Sequence, residues 1–165
     1  MALKRVLFQK DFYIAKSRIG KGVFTNKNFS SGEILMKFKS AIFIISELPK
    51  NLEGYDNWLQ IGFNPFIFMS PSGAIDDFVN HSCDPNAGLS INGKEVNLIA
   101  IQNISAGAEI TFDYSTTTRG DYWEMICECG NKICRKIIRD FQYLPKAIKL
   151  KYVKLGVVPK YNLNV

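Results

Sequence analysis

The sequence predicts a mainly β fold of small sheets, followed by a cysteine-rich segment and one helix. Short apolar runs rich in β-branched and aromatic residues alternate with turns at regular spacing, which is typical of strands. Three of the four cysteines lie within residues 127–134, and apolar residues at helical spacing follow them. These observations place the β part of the chain first and the cysteines and helix after it.

The strands are predicted in chain order from apolar runs bounded by turn residues. Residues 46–60 (SELPKNLEGYDNWLQ) are predicted to form a loop or short helix, and residues 76–88 (DDFVNHSCDPNAG) a polar turn. The predicted strands lie in RVLFQKDFYIAKS (5–17), GVFTN (22–26), EILMKFKSAIFII (33–45, with a polar break), PFIFMS (65–70), VNLIAIQNI (96–104) and EITFDY (109–114).

Residues 140–156 predict the helix. Their apolar positions recur every three or four residues, at Leu144, Ile148, Tyr152 and Leu155. Pro145 suits a first helical turn and Gly156 suits a C-terminal stop. The pattern changes near residue 116, which we take as the boundary between two parts of the chain.

Composition narrows the class of protein. The 165 residues are 47% apolar and 22% charged, which suits one globular domain. The sequence contains no run of eighteen apolar residues, so no membrane span is predicted, and the N-terminus lacks the features of a signal peptide. We therefore expect an intracellular protein.

The net charge is +6, and the lysines concentrate near the C-terminus. A solvated helix face and contact with nucleic acid or another anionic surface both explain those lysines.

The cysteines predict a metal site. Cys127, Cys129 and Cys134 form a C-x-C-x4-C pattern, and zinc takes four ligands in a tetrahedron. The remaining cysteine, Cys83, is the candidate fourth ligand, with His81 or a carboxylate as the alternative. Independent buried thiols are the other explanation. A zinc held by four thiolates would be structural and would tie the segment after residue 116 to residues 80–86.

Two further segments carry candidate site residues. SRIGKGVF, residues 17–24, offers backbone around Gly20 and Gly22 where a ligand can approach closely. GAEITFDY, residues 107–114, ends a strand with Phe112 and Tyr114. Taken in order with NHSCDPN and CECGNKIC, these motifs resemble the SET-domain protein lysine methyltransferases that carry a post-SET zinc segment. The resemblance covers residues 10–135 and is nearest to compact bacterial or viral members.

The resemblance implies a fold and an activity. The fold would be β-clip-like, with small sheets and a knot-like C-terminal thread. Residues 1–115 would form the SET domain, with an insert at about 43–72 along the peptide groove, and residues 116–165 the post-SET segment and helix. The activity would be S-adenosylmethionine-dependent N-methylation of a lysine on a histone or another basic protein. The resemblance leaves the location within the producing cell or a host cell open.

The resemblance also implies roles for individual residues. Tyr114 would stand at the methyl-transfer centre, and Phe112 and Tyr55 would line the lysine channel, with Trp58 a further candidate. One zinc would be bound by Cys83, Cys127, Cys129 and Cys134. Cofactor contacts would come from Ile19, Gly20, Lys21, Gly22, Asn80, His81 and Tyr114. In this family a phenylalanine two positions before the tyrosine favours di- or trimethylation, which we expect from Phe112.

One departure from the family pattern keeps a peptide-binding alternative open, and the lysines and cysteines keep a second one open. Many members carry an arginine where this chain has Asp77, preceded by Asp76. A catalytically weak SET-like module that binds a peptide is therefore one alternative. A zinc-stapled nucleic-acid-binding protein is the other, although its lysines do not interleave with aromatic residues in any evident motif.

Overall fold

The computed structural model describes residues 10–48 and 57–164. Twelve short strands form four small sheets in this part of the chain. The strands are β1 (Phe12–Lys16), β2 (Lys21–Thr25), β3 (Ile34–Phe38), β4 (Ile42–Ile45), β5 (Leu59–Gly62), β6 (Phe66–Met69), β7 (Asn80–His81), β8 (Ala87–Asn92), β9 (Glu95–Ala100), β10 (Glu109–Phe112), β11 (Met125–Ile126) and β12 (Ile137–Ile138). The mainly β prediction is confirmed.

The four-stranded sheet positions the candidate site residues. Its strand order is β1-β2-β10-β7, so segments far apart in the sequence become neighbours. Strand β10 pairs antiparallel with β2 and parallel with β7. The parallel pairing sets Phe112 opposite His81. The glycine turn, the histidine motif and the F-D-Y strand therefore meet in one sheet.

The polar break in residues 33–45 separates two strands that belong to different sheets. Strand β3 joins the sheet β3-β9-β8, whereas β4 joins β4-β6-β5. The latter sheet spans most of the region predicted as an insert. Its strand β5 begins at Leu59, so the end of the predicted loop or short helix at 46–60 is a strand instead. Residues 49–56 lie outside the described residues.

The helix is shorter than the sequence pattern suggests. Helix α1 spans Lys146–Lys154, and a 3-10 turn at Phe141–Tyr143 precedes it. Pro145 separates the two because its ring fixes φ and it cannot donate a backbone hydrogen bond. At the other end Gly156 has φ +70°, the left-handed conformation that suits glycine after a helix. No helix among the residues with described structure is long and apolar enough to cross a membrane.

Two hydrophobic clusters hold these parts together. The larger one fills the space between the sheets and contains Val23, Leu89, Leu98 and Ile110, all fully buried. The second joins the C-terminal segment to β9 and contains Phe141, Tyr152 and Val157. A Cβ at Gly88 would lie 2.6 Å from Val157, so glycine on β8 allows this close docking.

Candidate functional site

The turn between β1 and β2 packs tightly against β7 and β10. Gly20 adopts φ +66°, and its carbonyl accepts a 3.0 Å hydrogen bond from the Ser17 N–H. A Cβ at Gly22 would lie 2.9 Å from Asn80 Nδ2 and would collide with the Glu109 carboxylate. A side chain at position 22 would therefore separate the turn from Asn80, which explains the second glycine.

Glu109 holds this turn in place and was not among the predicted site residues. Its two carboxylate oxygens accept from the Ser17 hydroxyl at 2.7 and 2.8 Å. One of them also accepts from Asn80 Nδ2 at 2.8 Å, and Asn80 Nδ2 donates to the Lys21 carbonyl at 2.9 Å. The residue lies inside the GAEITFDY motif, and a carboxylate at the start of a strand was the available signal.

A polar cavity opens between this turn, β7 and the cysteines. Of the predicted cofactor residues, Ile19, Asn80 and His81 line it. Gly20, Lys21 and Gly22 support it from the adjoining turn and strand. The other lining residues are Ser17, Arg18, Ser82, Asp84, Asn86, Gln102, Glu109, Thr111, Cys129 and Asn131. The cavity offers many hydrogen-bonding groups to a polar ligand.

Both ring nitrogens of His81 are used within the protein. Nδ1 accepts from the Tyr114 backbone N–H at 3.2 Å, so the ring proton lies on Nε2, 3.4 Å from Cys83 Sγ. Burial lowers the pKa of His81 to about 4, although the charge of Asp113 opposes that shift. The ring is therefore neutral at neutral pH, and its low basicity and its two internal contacts make it unsuited to act as a general base. Any cofactor contact from His81 would come from its backbone.

Tyr114 stands two residues after the end of β10, at the start of a 3-10 turn. Its hydroxyl donates to the Val79 carbonyl at 2.8 Å, and its ring centroid lies 4.8 Å from that of Phe112 and 5.3 Å from that of His81. Burial, with a smaller contribution from the charge of Glu109, raises the pKa of Tyr114 above its usual value. The phenol stays protonated at neutral pH, and its oxygen lone pairs remain available as acceptors.

A second cavity, the aromatic cavity, lies on the Tyr114 side of the His81–Tyr114 ring pair. Its volume is about 130 Å³. The predicted residues Phe112, Tyr114 and Trp58 line it. The predicted Tyr55 lies outside the described residues. The remaining lining residues are Phe38, Asn57, Leu59, Gln60, Met69, Ser70, Pro71, Asp76, Asp77, Val79, Thr117, Thr118, Tyr122 and Trp123.

The aromatic cavity contains both of the residues that depart from the family pattern. Asp76 and Asp77 are the only charged side chains among the described residues that line it. Asp76 accepts from the Ser72 hydroxyl at 2.7 Å, and Asp77 accepts from the backbone N–H groups of Ser72 and Gly73. They order the loop before β7, and they give this cavity a negative charge.

Trp123 and Tyr122 were not predicted as site residues. The Trp123 ring centroid lies 6.3 Å from that of Tyr114. The Tyr122 hydroxyl donates to Gln60 Oε1 at 3.0 Å, and the Arg119 backbone N–H donates to the same oxygen at 2.8 Å. Both aromatic residues precede the cysteines, in a stretch that the sequence pattern indicates only as a polar loop.

The four cysteines converge on one point, as predicted. Their sulfur atoms all lie within 4.8 Å of one another, and Cys83 and Cys127 are buried. Bonds of about 2.3 Å in a ZnS₄ tetrahedron set neighbouring sulfurs about 3.8 Å apart. The distance between Cys83 Sγ and Cys127 Sγ is 3.8 Å. The arrangement fits zinc and contradicts four independent buried thiols.

Neighbouring groups donate hydrogen bonds to the sulfurs of this centre, but burial opposes deprotonation at two of them. Burial raises the pKa of Cys127 to about 11 and that of Cys83 above its usual value. The Arg135 backbone N–H donates to Cys83 Sγ at 3.4 Å, and Asn131 Nδ2 lies 3.9 Å from Cys129 Sγ. Burial alone raises the pKa of Cys129, but hydrogen bonds from backbone groups and the other thiols lower it to about 6. Metal ligation requires the deprotonated sulfur.

A buried ion pair connects the cysteine segment, residues 125–138, to Asp113, which lies between the end of β10 and Tyr114. Asp113 is 1% exposed, and both of its oxygens accept from the Arg135 guanidinium at 2.7 Å. The Tyr152 hydroxyl of α1 also donates to Asp113, at 3.0 Å. Although burial opposes it, the Asp113 carboxylate raises the pKa of Arg135 above its usual value.

Comparison with known proteins finds relatives of similar sequence. The chain is 30% identical over 146 residues to the variant-silencing SET domain-containing protein of Plasmodium falciparum. It is 32% identical over 146 residues to an H3 lysine-36 specific histone-lysine N-methyltransferase of Kluyveromyces lactis. Each match covers 77% of this chain, but only 6% and 20% of the respective relative. The chain therefore spans a small part of the length of these relatives.

Solved structures share the fold. A crystal structure of KRYPTONITE in complex with mCHG DNA and SAH superposes with a TM-score of 0.62. A second KRYPTONITE structure, with mCHH DNA, H3(1-15) peptide and SAH, gives 0.59. Both are 23% identical to this chain. Each match covers 78% of this chain and 29% of the KRYPTONITE chain.

The family assignment follows from the segment that contains the glycine turn, the histidine motif and Tyr114. Residues 20–115 match the SET domain family, and this region is more than half of the chain. The chain belongs to the SET domain family.

Proposed function

We propose that the protein is an S-adenosylmethionine-dependent protein-lysine N-methyltransferase. The observation that carries the proposal is the meeting of two different cavities at one ring pair. His81 lines the polar cavity, Tyr114 lines the aromatic cavity, and their ring centroids lie 5.3 Å apart. A polar cofactor and a lysine side chain entering from opposite sides would meet at this pair. The names of the relatives and the SAH in the KRYPTONITE structures support this reading.

The polar cavity suits the cofactor. Asn80 is held by Lys21 and Glu109, so its position is fixed before any ligand arrives. The glycine turn brings backbone groups to the same place. When bound, S-adenosylmethionine supplies a methyl group on a positively charged sulfur. The neighbouring Glu109 carboxylate is one source of attraction for that positive charge.

The aromatic cavity suits a lysine side chain. Its aromatic walls accommodate the four-carbon stem, and burial there disfavours the charged ammonium form. Asp76 and Asp77 attract a cationic chain to the same cavity, although their charge by itself favours the ammonium form over the neutral amine. Methyl transfer to a neutral amine is an in-line displacement, and alignment of the two reactants supplies much of the rate.

Tyr114 would align the amine rather than deprotonate it. Its hydroxyl proton is directed to the Val79 carbonyl at 2.8 Å, so the oxygen is fixed and presents lone pairs. Those lone pairs can accept a hydrogen bond from the amine N–H and a weak contact from the polarised methyl group. Neither Tyr114 nor His81 has a pKa that suits a base, so the substrate ammonium would lose its proton to water before the transfer. The methylated amine would then carry the positive charge, and the cofactor would leave as a neutral thioether.

Zinc belongs to the proposal as a structural ion. The four thiols would bind one Zn²⁺ and leave no open position for chemistry. The metal would keep the cysteine segment beside β7, where Cys129 lines the polar cavity. Trp123 and the aromatic cavity would depend on the same anchor.

Calorimetry combined with label transfer tests the proposal. The protein is titrated with S-adenosylmethionine and then incubated with the labelled cofactor and core histones, small basic DNA-binding proteins or ribosomal proteins. We expect saturable cofactor binding and label on a lysine of at least one substrate. Binding without transfer to any of them would favour a peptide-binding module. No cofactor binding, with steeply salt-dependent nucleic-acid binding, would favour the nucleic-acid alternative.

A further inference from the structure

The strand end that carries Phe112 and Tyr114 is held from outside the family-matched region. Asp113 lies between these two residues, and its carboxylate has four hydrogen-bond donors. Two come from Arg135 at 2.7 Å each, one from the Tyr152 hydroxyl at 3.0 Å and one from the Ser115 N–H at 3.1 Å. Because each carboxylate oxygen accepts two bonds, its position is fixed on all sides.

We propose that Arg135 and Tyr152 are positioning residues for the methyl-transfer site. Arg135 belongs to the cysteine segment and Tyr152 to helix α1, both beyond residue 115. Neither lines the aromatic or the polar cavity. They act on the site through Asp113, and so on the orientation of Phe112 and Tyr114. The proposal rests on the proposed function of Tyr114.

Geometry supports an effect on Tyr114 in particular. A second contact ties the same turn down from the other side, since the Tyr114 N–H donates to His81 Nδ1 at 3.2 Å. Asp113 Oδ1 lies 3.7 Å from that nitrogen. A shift of Asp113 would therefore move the tyrosine relative to His81, where the two cavities meet. Displacements of about 1 Å can reduce rates by about a hundredfold in aligned sites.

The hydrogen bond between the Tyr152 hydroxyl and Asp113 is buried. Tyr152 is 2% exposed and Asp113 1% exposed, so water does not replace a lost hydroxyl easily. Tyr152 also belongs to the hydrophobic cluster that docks the C-terminal segment on β9. Tyr152 therefore gives helix α1 two separable roles. The Tyr152 ring packs in the hydrophobic cluster, and the Tyr152 hydroxyl donates to Asp113.

The test compares Tyr152→Phe with a matched variant of the same helix. Tyr152→Phe removes the hydroxyl and keeps the ring. Ile148→Val loosens the same hydrophobic cluster and does not touch Asp113. We expect Tyr152→Phe to lower kcat about tenfold to a hundredfold while KM for the cofactor changes less than about twofold. Ile148→Val should retain kcat. Equal losses of kcat in the two variants would overturn the positioning role.

Hydrogen exchange supplies a readout that needs no activity. We expect faster exchange at the Tyr114 and Ser115 amides in Tyr152→Phe and Arg135→Lys, with strand β9 unchanged. Uniform acceleration through the domain, or no acceleration at Tyr114 and Ser115, would contradict the proposal. If the wild-type protein transfers no methyl group, the proposed function fails, and the exchange result still decides whether these residues position Tyr114.

Discussion

Arg135 binds Asp113 through two hydrogen bonds of 2.7 Å inside the protein. Arg135 directly follows Cys134, and Asp113 lies between Phe112 and Tyr114. One ion pair therefore links the candidate zinc centre to the candidate methyl-transfer centre. Each partner of the ion pair therefore directly neighbours a site residue in the sequence.

Loss of the arginine should destabilise the protein strongly. Arg135→Ala leaves the Asp113 carboxylate buried without its charged partner, and such a loss typically costs about 3–5 kcal/mol. Denaturant unfolding measures the free energy of unfolding. Arg139→Ala is the matched control, because Arg139 pairs with Glu124 at the surface, where both side chains are more than half exposed. That change should cost at most about 1 kcal/mol. Similar losses of unfolding free energy in the two variants would show that the buried pair stabilises the protein no more than the surface pair does.

Metal analysis should find about one zinc ion per chain. All four sulfurs lie within 4.8 Å of one another, so one ion can reach every thiol. Cys83→Ser should reduce the zinc content and lower the midpoint of thermal unfolding, because metal binding and folding are coupled. A chelator should destabilise the wild type and have little effect on the variant. An unchanged zinc content in Cys83→Ser would mean that another residue supplies the fourth ligand.

Phe112 should permit the addition of more than one methyl group. Its ring is 6% exposed and centred 4.8 Å from the Tyr114 ring, and it has no hydroxyl to hold an amine or a water. We expect di- and trimethylated product from the wild type and a shift toward monomethylated product from Phe112→Tyr. Mass spectrometry of the product measures the methylation state. If the wild type yields monomethyl product alone and the variant behaves identically, this interpretation is wrong.

Asp76 and Asp77 should favour substrates with basic residues near the target lysine. Both carboxylates line the aromatic cavity, where Asp77 is exposed and Asp76 is half-buried. Ion pairs at a protein surface are worth about 0.2–1 kcal/mol. Asp76→Asn should therefore raise KM roughly two- to fivefold for a peptide flanked by arginines. A peptide flanked by alanines is the control and should show little change. An equal rise for both peptides would indicate a damaged loop, since Asp76 also bonds to Ser72.

Local patterns predicted much of this architecture. The strands around Val23, Leu98 and Ile110 are short apolar runs between turns, and each forms where expected. The helix ends before Gly156 because glycine accepts a left-handed conformation there. The close spacing of Cys127, Cys129 and Cys134 predicted a metal site, and the fold brings Cys83 to the same point.

Other parts of the fold and site could not be predicted from local patterns, because they depend on pairing between segments that are distant in the sequence. Strand β7 has two residues and exists because it pairs with β10, so its own sequence contains no strand pattern. Strand β8 was missed because the polar turn at 76–88 was extended over its first residues. Its hairpin partner begins after Gly93, a turn signal that was overlooked. The roles of Glu109 and Arg135 depend on partners 92 and 22 residues away, which no local pattern specifies.

The central claim is that Tyr114 aligns a lysine for methyl transfer, and its most direct test is the rate of label transfer by Tyr114→Phe. The substrate is the one that the wild-type protein methylates best, and cofactor binding is measured in parallel. Loss of the fixed hydroxyl should reduce kcat about a hundredfold or more, while the cofactor Kd stays within about threefold. A variant that retains the wild-type kcat would contradict the account.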